Sequence, residues 1–284
     1  MNVSVDLAPR HKTGLPLRSP VLLASGAAGF GIVPPFADAS ALGAVVTLPM
    51  CVRGRAAPAG FAQTPGGVVI AHPGSAAVRA VLRRWGARWM RADPPVIAHL
   101  WGDSAAELAE CAEVLEEVRE IAAVEWRADA LPANEAGQAA ARLRGASEKP
   151  LLAQIPLFDA AAYAEAVGER ADALVIGAPP AATAWSGEEG RWISGDMHGF
   201  GVFPLVLDAL RTLKDAPLPL VALGGIETPD QAVQAILAGA TAVMLDTALF
   251  RNPDLPGAAL AAIMREMENR ALGDIRELIG RDVP

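Results

Sequence analysis

The chain has 284 residues, a net charge of −8, 52% hydrophobic and 20% charged residues, which suits one α/β barrel domain with a large buried core. No basic block supplies the clustered Lys and Arg that a nucleic-acid backbone demands, and no apolar run approaches the roughly eighteen residues of a membrane helix. Residues 1–12 lack the apolar stretch of a leader, and two cysteines, Cys51 and Cys111, cannot make a disulfide framework, so the cytoplasm is the expected compartment.

In chain order, short apolar runs at 20–24, 44–48, 95–100, 122–126, 150–155, 173–176, 218–223 and 242–245 read as strands. Each is nearly continuously apolar, as strands covered on both faces should be. After the second strand comes a Pro- and Gly-rich connection, 49–74, carrying Arg53, Arg55 and Thr64-Pro65-Gly66-Gly67. A helix is expected over 104–119, with Ser104 and Glu107 in capping-box spacing and Ala105, Leu108, Ala112 and Leu115 on one face. A second is expected over 159–168, from a capping Asp159 to Gly168. Another Gly-rich connection, 179–203, precedes a helix at 228–239 with Thr228 as cap, Pro229 in its first turn and Gly239 past its end. The tail after Pro256 reads as one or two helices. Eight strands alternating with helices predict a single-domain (β/α)8 TIM barrel over 1–284. Both long connections follow strands and so belong on the C-terminal face, where such barrels build their sites.

The most informative stretch is 218–250. One strand ends in Gly224-Gly225-Ile226 and the next in Asp246-Thr247, each before a helical start. Bare backbone at Gly224 and Gly225 lets N–H groups approach phosphate oxygens, and Thr247 adds a hydroxyl. The plainer reading is a tight turn and an N-cap, and the Asp246 carboxylate opposes a phosphate unless it points away. Elsewhere, Arg127 and Asp129 follow the fourth strand: Asp129 is a candidate general base or a helix cap, and Arg127 binds an anionic substrate or pairs with Asp129 or Glu125. His72, His99 and His198 fall near the mouth, too scattered to predict a metal site; His198, before Gly199, is a candidate acid or base. Trp101 and Trp126 lie at strand ends and stack on a ligand or pack in the core. Cys51 is a reactive thiol or a small packed residue, and Cys111 a structural one.

These motifs together resemble the dihydroorotate dehydrogenase family, class 1, over nearly the whole chain. Residues 19–31, with Ala24-Ser25-Gly26, are similar to its first-strand motif, and 44–47, ending in Thr47, to its second strand. Thr64-Pro65-Gly66-Gly67 is similar to its Thr-Pro-Gly-Gly loop, and 222–226 and 238–250 to its last two loops. The resemblance implies an FMN-dependent barrel that oxidises dihydroorotate to orotate. It implies a flavin lined by Ala24, Ser25, Gly26, Thr47 and Gln154, with Gly199 at the ribityl or phosphate end and the phosphate on Gly224, Gly225 and Thr247.

The departures fall on reactive side chains. The family's Lys after the second-strand Thr is Leu48 here, its proton-accepting Cys is Ala130, its fifth-strand Lys is Gln154 and its orotate-gripping Asn is Ala178. A further family Asn falls near Ala71-His72-Pro73, and a family Ser is His198. Orotate is a planar polar anion, and a pocket without those amides leaves its hydrogen bonds unmet. The expectation is therefore an FMN-binding oxidoreductase of this type with a small-molecule substrate other than dihydroorotate, with Asp129 and His198 as catalytic candidates, Arg127 at the substrate, and a homodimer as a candidate assembly. The competing readings are a catalytically inactive flavin- or phosphate-binding barrel with a binding or regulatory role, and a different phosphate-binding barrel such as a sugar-phosphate isomerase.

Overall fold

The computed structural model describes residues 1–57, 59–72 and 74–282; Pro58 and Pro73 of the first long connection and residues 283–284 of the tail lie outside the described residues. Eight strands form one closed parallel barrel: β1 (Val21–Leu23), β2 (Ala44–Val46), β3 (Val96–Leu100), β4 (Ile121–Arg127), β5 (Leu151–Pro156), β6 (Ala173–Ala178), β7 (Leu220–Leu223) and β8 (Ala242–Leu245). Every strand pairs with its successor, and β8 returns to β1 with Val243 opposite Val21. All eight coincide with the apolar runs of the sequence. Their residues are almost wholly buried because the barrel interior covers one face and a helical layer the other.

Seven helices form that layer: α1 (Val78–Trp89), α2 (Ala105–Glu116), α3 (Ala133–Ala146), α4 (Ala160–Val167), α5 (Phe203–Thr212), α6 (Pro229–Leu237) and α7 (Leu255–Asn269). A short 3-10 turn, Ala39–Ala41, stands between β1 and β2. In α6 the Thr228 hydroxyl accepts from the Gln231 N–H while the Gln231 side chain accepts from Thr228, a complete capping box, and Gly239 follows at φ 114°. In α2 the Ser104 hydroxyl accepts from the Glu107 N–H at 3.2 Å. The reciprocal half is diverted: the Glu107 carboxylate takes the Asp103 N–H at 3.3 Å and Arg55 at 2.6 Å. Asp159 does not cap α4; it sits at φ 61° with no side-chain bond to the helix. The exit from β5 needs a left-handed residue there, a conformation Asp tolerates, and that turn aims the carboxylate away from the helix.

The two long connections are not loops. They contribute four antiparallel strands in the order Ala181–Ser186, Arg191–His198, Gly67–Ile70, Phe61–Thr64. Thr64-Pro65-Gly66-Gly67 is the turn of one hairpin. The hairpins join through Ile70 with Asp196, Val69 with Met197 and Val68 with His198. The join is so close that a Cβ on Gly67 would lie 1.9 Å from the His198 carbonyl oxygen. Ala62, Val69 and Ile193 make a small core of their own in this sheet, apart from the main core between barrel and helices. The pairing joins connections that leave the barrel after β2 and after β6, so the sheet roofs the C-terminal mouth.

Candidate functional site at the barrel mouth

Side chains alternate along a strand, so residues two apart share a face. That alternation turns His99 and Trp101 at the end of β3, Glu125 and Arg127 of β4, and Gln154 of β5 inward. Trp126 is the odd member: fully buried, its indole N–H without a partner, it packs in the core and not at the mouth.

Two adjoining cavities open there. The first, about 240 Å³, is lined by Ala24, Ser25, Gly26, Gln154, His198 and Thr247 among others. The second, about 500 Å³, is lined by His72, Asp129 and Ala130 among others. Trp101, Arg127, Pro179 and Asp196 line both. The first alone is smaller than the roughly 300–1,000 Å³ usual for a ligand pocket, so the shared wall belongs to the ligand space.

That wall is held by charge. Arg127 donates to Asp129 from Nε at 2.8 Å and from an Nη at 2.9 Å. It donates to Asp196 at 2.6 and 3.1 Å and to the Pro179 carbonyl at 3.3 Å. Burial works against its charge, and the bonds to Asp129 and Asp196 outweigh that, so its pKa is raised. Its guanidinium also faces the Trp101 ring at 5.8 Å. Every face of this cation is engaged by the protein's own groups, and both oxygens of Asp129 are taken up by it. The expected partner Glu125 is not among them. His72 Nδ1 lies 3.2 Å from an Asp196 oxygen.

His198 Nδ1 lies 3.1 Å from an Asp246 oxygen, tying the roof to the end of β8. The Asp246 carboxylate thus turns to His198, its other oxygen 3.5 Å from the Thr247 hydroxyl. Thr47, Gly199, Gly224 and Gly225 do not line either cavity. Thr47 is buried, and its hydroxyl accepts the His99 backbone N–H at 3.0 Å. Gly224 and Gly225 hold φ 104° and 70°, and a Cβ on Gly225 would stand 2.8 Å from the Gly199 carbonyl oxygen. Cys51 is buried, its sulfur receiving the Gly54 N–H at 3.0 Å and the Ser75 hydroxyl at 2.9 Å.

Asp196 and Glu227 escaped the sequence reading. Glu227 lies against Gly199, pairs with Arg251 at 2.5 Å and keeps its other oxygen buried without a partner. The signal for Asp196 was the hairpin around it: two runs separated by Glu188-Glu189-Gly190, with Gly190 at φ 62°.

A closed eight-stranded barrel with a roofed, largely apolar cavity carrying a few charged groups at its C-terminal mouth defines a (β/α)8 protein built to hold a small molecule there. No protein-family model matches the chain. It is 33% identical to the catalytic subunit of dihydroorotate dehydrogenase B (NAD(+)) of Desulforudis audaxviator, covering 94% of each chain. It is 28% identical to the corresponding subunit of Geotalea daltonii over 94% of this chain and 95% of that one. The dihydroorotate dehydrogenase of Eimeria tenella, solved with ferulenol, superposes with a TM-score of 0.78 over 99% of this chain and 88% of the other, at 15% identity, and shares its fold. The chain belongs to the dihydroorotate dehydrogenase family. Members of this family are FMN-dependent flavoprotein oxidoreductases, and membership makes FMN the cofactor.

The residues present fit FMN. Gly26, at φ 97°, has nothing within 4 Å of where a Cβ would point, and it lines the first cavity beside Ala24 and Ser25. This leaves bare main chain for a flat ring. At the other end Thr247 lines the first cavity, Gly224 and Gly225 are buried with Gly225 against the Gly199 carbonyl, and the two carboxylates nearby, Asp246 and Glu227, each have one oxygen turned to a basic side chain, His198 and Arg251. A phosphate there meets Asp246 already turned to His198, while Glu227 keeps one oxygen unpartnered beside Gly199.

Proposed function

We propose that this chain is an FMN-dependent oxidoreductase of the dihydroorotate dehydrogenase type whose substrate is a small molecule less polar than dihydroorotate. The carrying observation is the lining of the mouth: a methyl at Ala130, an alkyl chain at Leu48, one amide at Gln154, and an arginine already satisfied by two carboxylates. A planar anion that needs several amides finds few hydrogen-bond partners there. Ala24, Ser25, Gly26 and Gln154 hold the flavin and Thr247 its phosphate end, with Gly199, Gly224 and Gly225 shaping the turns around the phosphate and Thr47 supporting His99 from outside the cavity. FMN, when bound, supplies the two-electron acceptor. Asp129 orders Arg127 at the substrate, and His198, held to Asp246, lies at the cofactor end of the cavity. The expected compartment is the cytoplasm and the candidate assembly a homodimer. Among the described residues no helix is long and apolar enough to cross a membrane.

The test is the absorbance of the purified protein from about 300 to 550 nm, before and after incubation with FMN, followed by a screen of dienes, enoates and dihydropyrimidines. Flavin bands and turnover with a compound other than dihydroorotate support the reading. Protein that stays colourless with FMN overturns it. The same missing side chain at position 130 favours a second reading, a flavin-binding barrel without catalysis, and steady turnover with any of these compounds removes that one.

A further inference from the structure

Below the Arg127 wall lies a second pair of inward-facing titratable groups. His99 and Glu125 are register partners on β3 and β4. His99 Nδ1 and Glu125 Oε1 are 2.7 Å apart, with side chains 4% and 1% exposed. An ionised carboxylate can only accept, so a neutral ring in this pairing carries its proton on Nδ1 and leaves Nε2 as the acceptor. His99 lines the first cavity. Its Nε2 has no protein partner among the described residues, yet it is not one of the sealed, unpaired atoms; it opens on the cavity. The strand that carries the ring is held by the Thr47 hydroxyl, which accepts the His99 backbone N–H.

Glu125 Oε2 is sealed from solvent without a hydrogen-bond partner. A fully buried, half-satisfied carboxylate is costly. It is explained if its task is to balance a charge that appears on the imidazole beside it. The other ionisable groups on this cavity are Arg127, Asp196, His198 and Asp246. Arg127 and Asp196 are bound to each other, and the His198–Asp246 pair is the more open one, with His198 at 19% exposure.

We infer that His99 is the proton-accepting group of the cavity, that Glu125 is its positioning residue, and that the ligand is a weak C–H or N–H acid. In the step itself the proton leaves the ligand's C–H or N–H bond for Nε2. The bonding pair stays on the ligand, and the imidazolium so formed is balanced by the Glu125 carboxylate. This rests on the oxidoreductase reading for the identity of the ligand, but not for the state of the ring.

The test is nitrogen NMR of the full chain carrying 15N-labelled histidine, with and without added FMN. His99 is assigned with His99→Asn, or by elimination with His11→Asn, His72→Asn and His198→Asn if that variant does not fold. The expected result at neutral pH is a protonated Nδ1 and a bare Nε2 on His99, a preference lost in Glu125→Leu, which offers no acceptor, and kept in Glu125→Gln, whose amide oxygen still accepts. A bare Nδ1 with a protonated Nε2, or a ring protonated on both nitrogens, overturns the inference. In the FMN-loaded enzyme, with a substrate from the screen, His99→Asn lowers kcat by about 10²–10⁴-fold with little change in KM. The same loss in His198→Asn with none in His99→Asn also overturns it. Colourless protein defeats the flavin reading while leaving the ring measurement intact, so the two failures are distinguishable.

Discussion

Asp246 and Arg127 show how single side chains set what the mouth accepts. Asp246 is the carboxylate nearest the turn that should carry the phosphate, and His198 is the group that offsets it. Asp246→Asn removes the negative charge and is expected to tighten FMN by about tenfold, close to 1.4 kcal/mol, in a fluorescence-quenching titration; unchanged or weaker binding would place the phosphate elsewhere. Arg127→Ala leaves Asp129 and Asp196 facing each other in a buried wall, and about 3–5 kcal/mol of stability should be lost in urea unfolding. A loss below about 1 kcal/mol would mean that water reaches these carboxylates. Which chemical groups were missing, at positions 48, 130 and 178, was legible from sequence because identity at a matched position needs no geometry. That Arg127 is spent on two carboxylates was not, because Asp196 comes from 69 residues further along the chain and reaches the arginine only after the roof has formed.

At the scale of the element, local signals worked where they were chemically redundant. Thr228, Pro229, Gln231 and Gly239 all mark the same helix, and α6 carries the complete cap. Asp159 was a single signal, and the turn out of β5 overrode it. The roof strands were illegible because Pro and Gly dominate both connections and because the register that makes them strands lies between distant hairpins. Gly67 is the tightest point of that register. Gly67→Ala is expected to loosen the join, seen as faster amide exchange over 61–70 and 191–198 with the barrel strands unaffected; unchanged exchange would show that the roof is held from elsewhere. Helix α2 gives a pH prediction. Burial pushes the Cys111 thiol up from its ordinary 9.0 to about 12. The folded state therefore holds that proton more tightly than the unfolded chain. Its stability contribution is intact below about pH 9 and falls by about 1.4 kcal/mol per pH unit from there toward 12. Cys111→Ala should flatten that alkaline slope in denaturant titrations at successive pH values.

For the whole molecule, barrel closure was the most legible property of all. Eight apolar runs of the right length at the right spacing leave little else to build, and the interior and helical layer bury them on both faces. The roof's own cluster is small, Ala62, Val69 and Ile193, and its ties to the barrel are Met197 packed on the main core and the pairs to Arg127 and Asp246, so it should open before the barrel in native-state exchange. FMN at 100 times its dissociation constant should stabilise the chain by about 2.7 kcal/mol, visible as a rise in melting temperature that grows with cofactor concentration. No rise at any concentration would count against a preformed site.

The hairpin seam sets the kinetics of exchange as well as the shape of the mouth. A molecule as long as the family's cofactor cannot slip sideways out of a space covered by a stitched pair of hairpins; it leaves when the stitches part. Residence time should then track the strength of backbone pairing between Gly67–Ile70 and Arg191–His198, strands whose Ile70, Asp196 and His198 also line the space the guest fills. Substitutions at Gly67, which lines neither cavity, would shorten occupancy through the pairing itself.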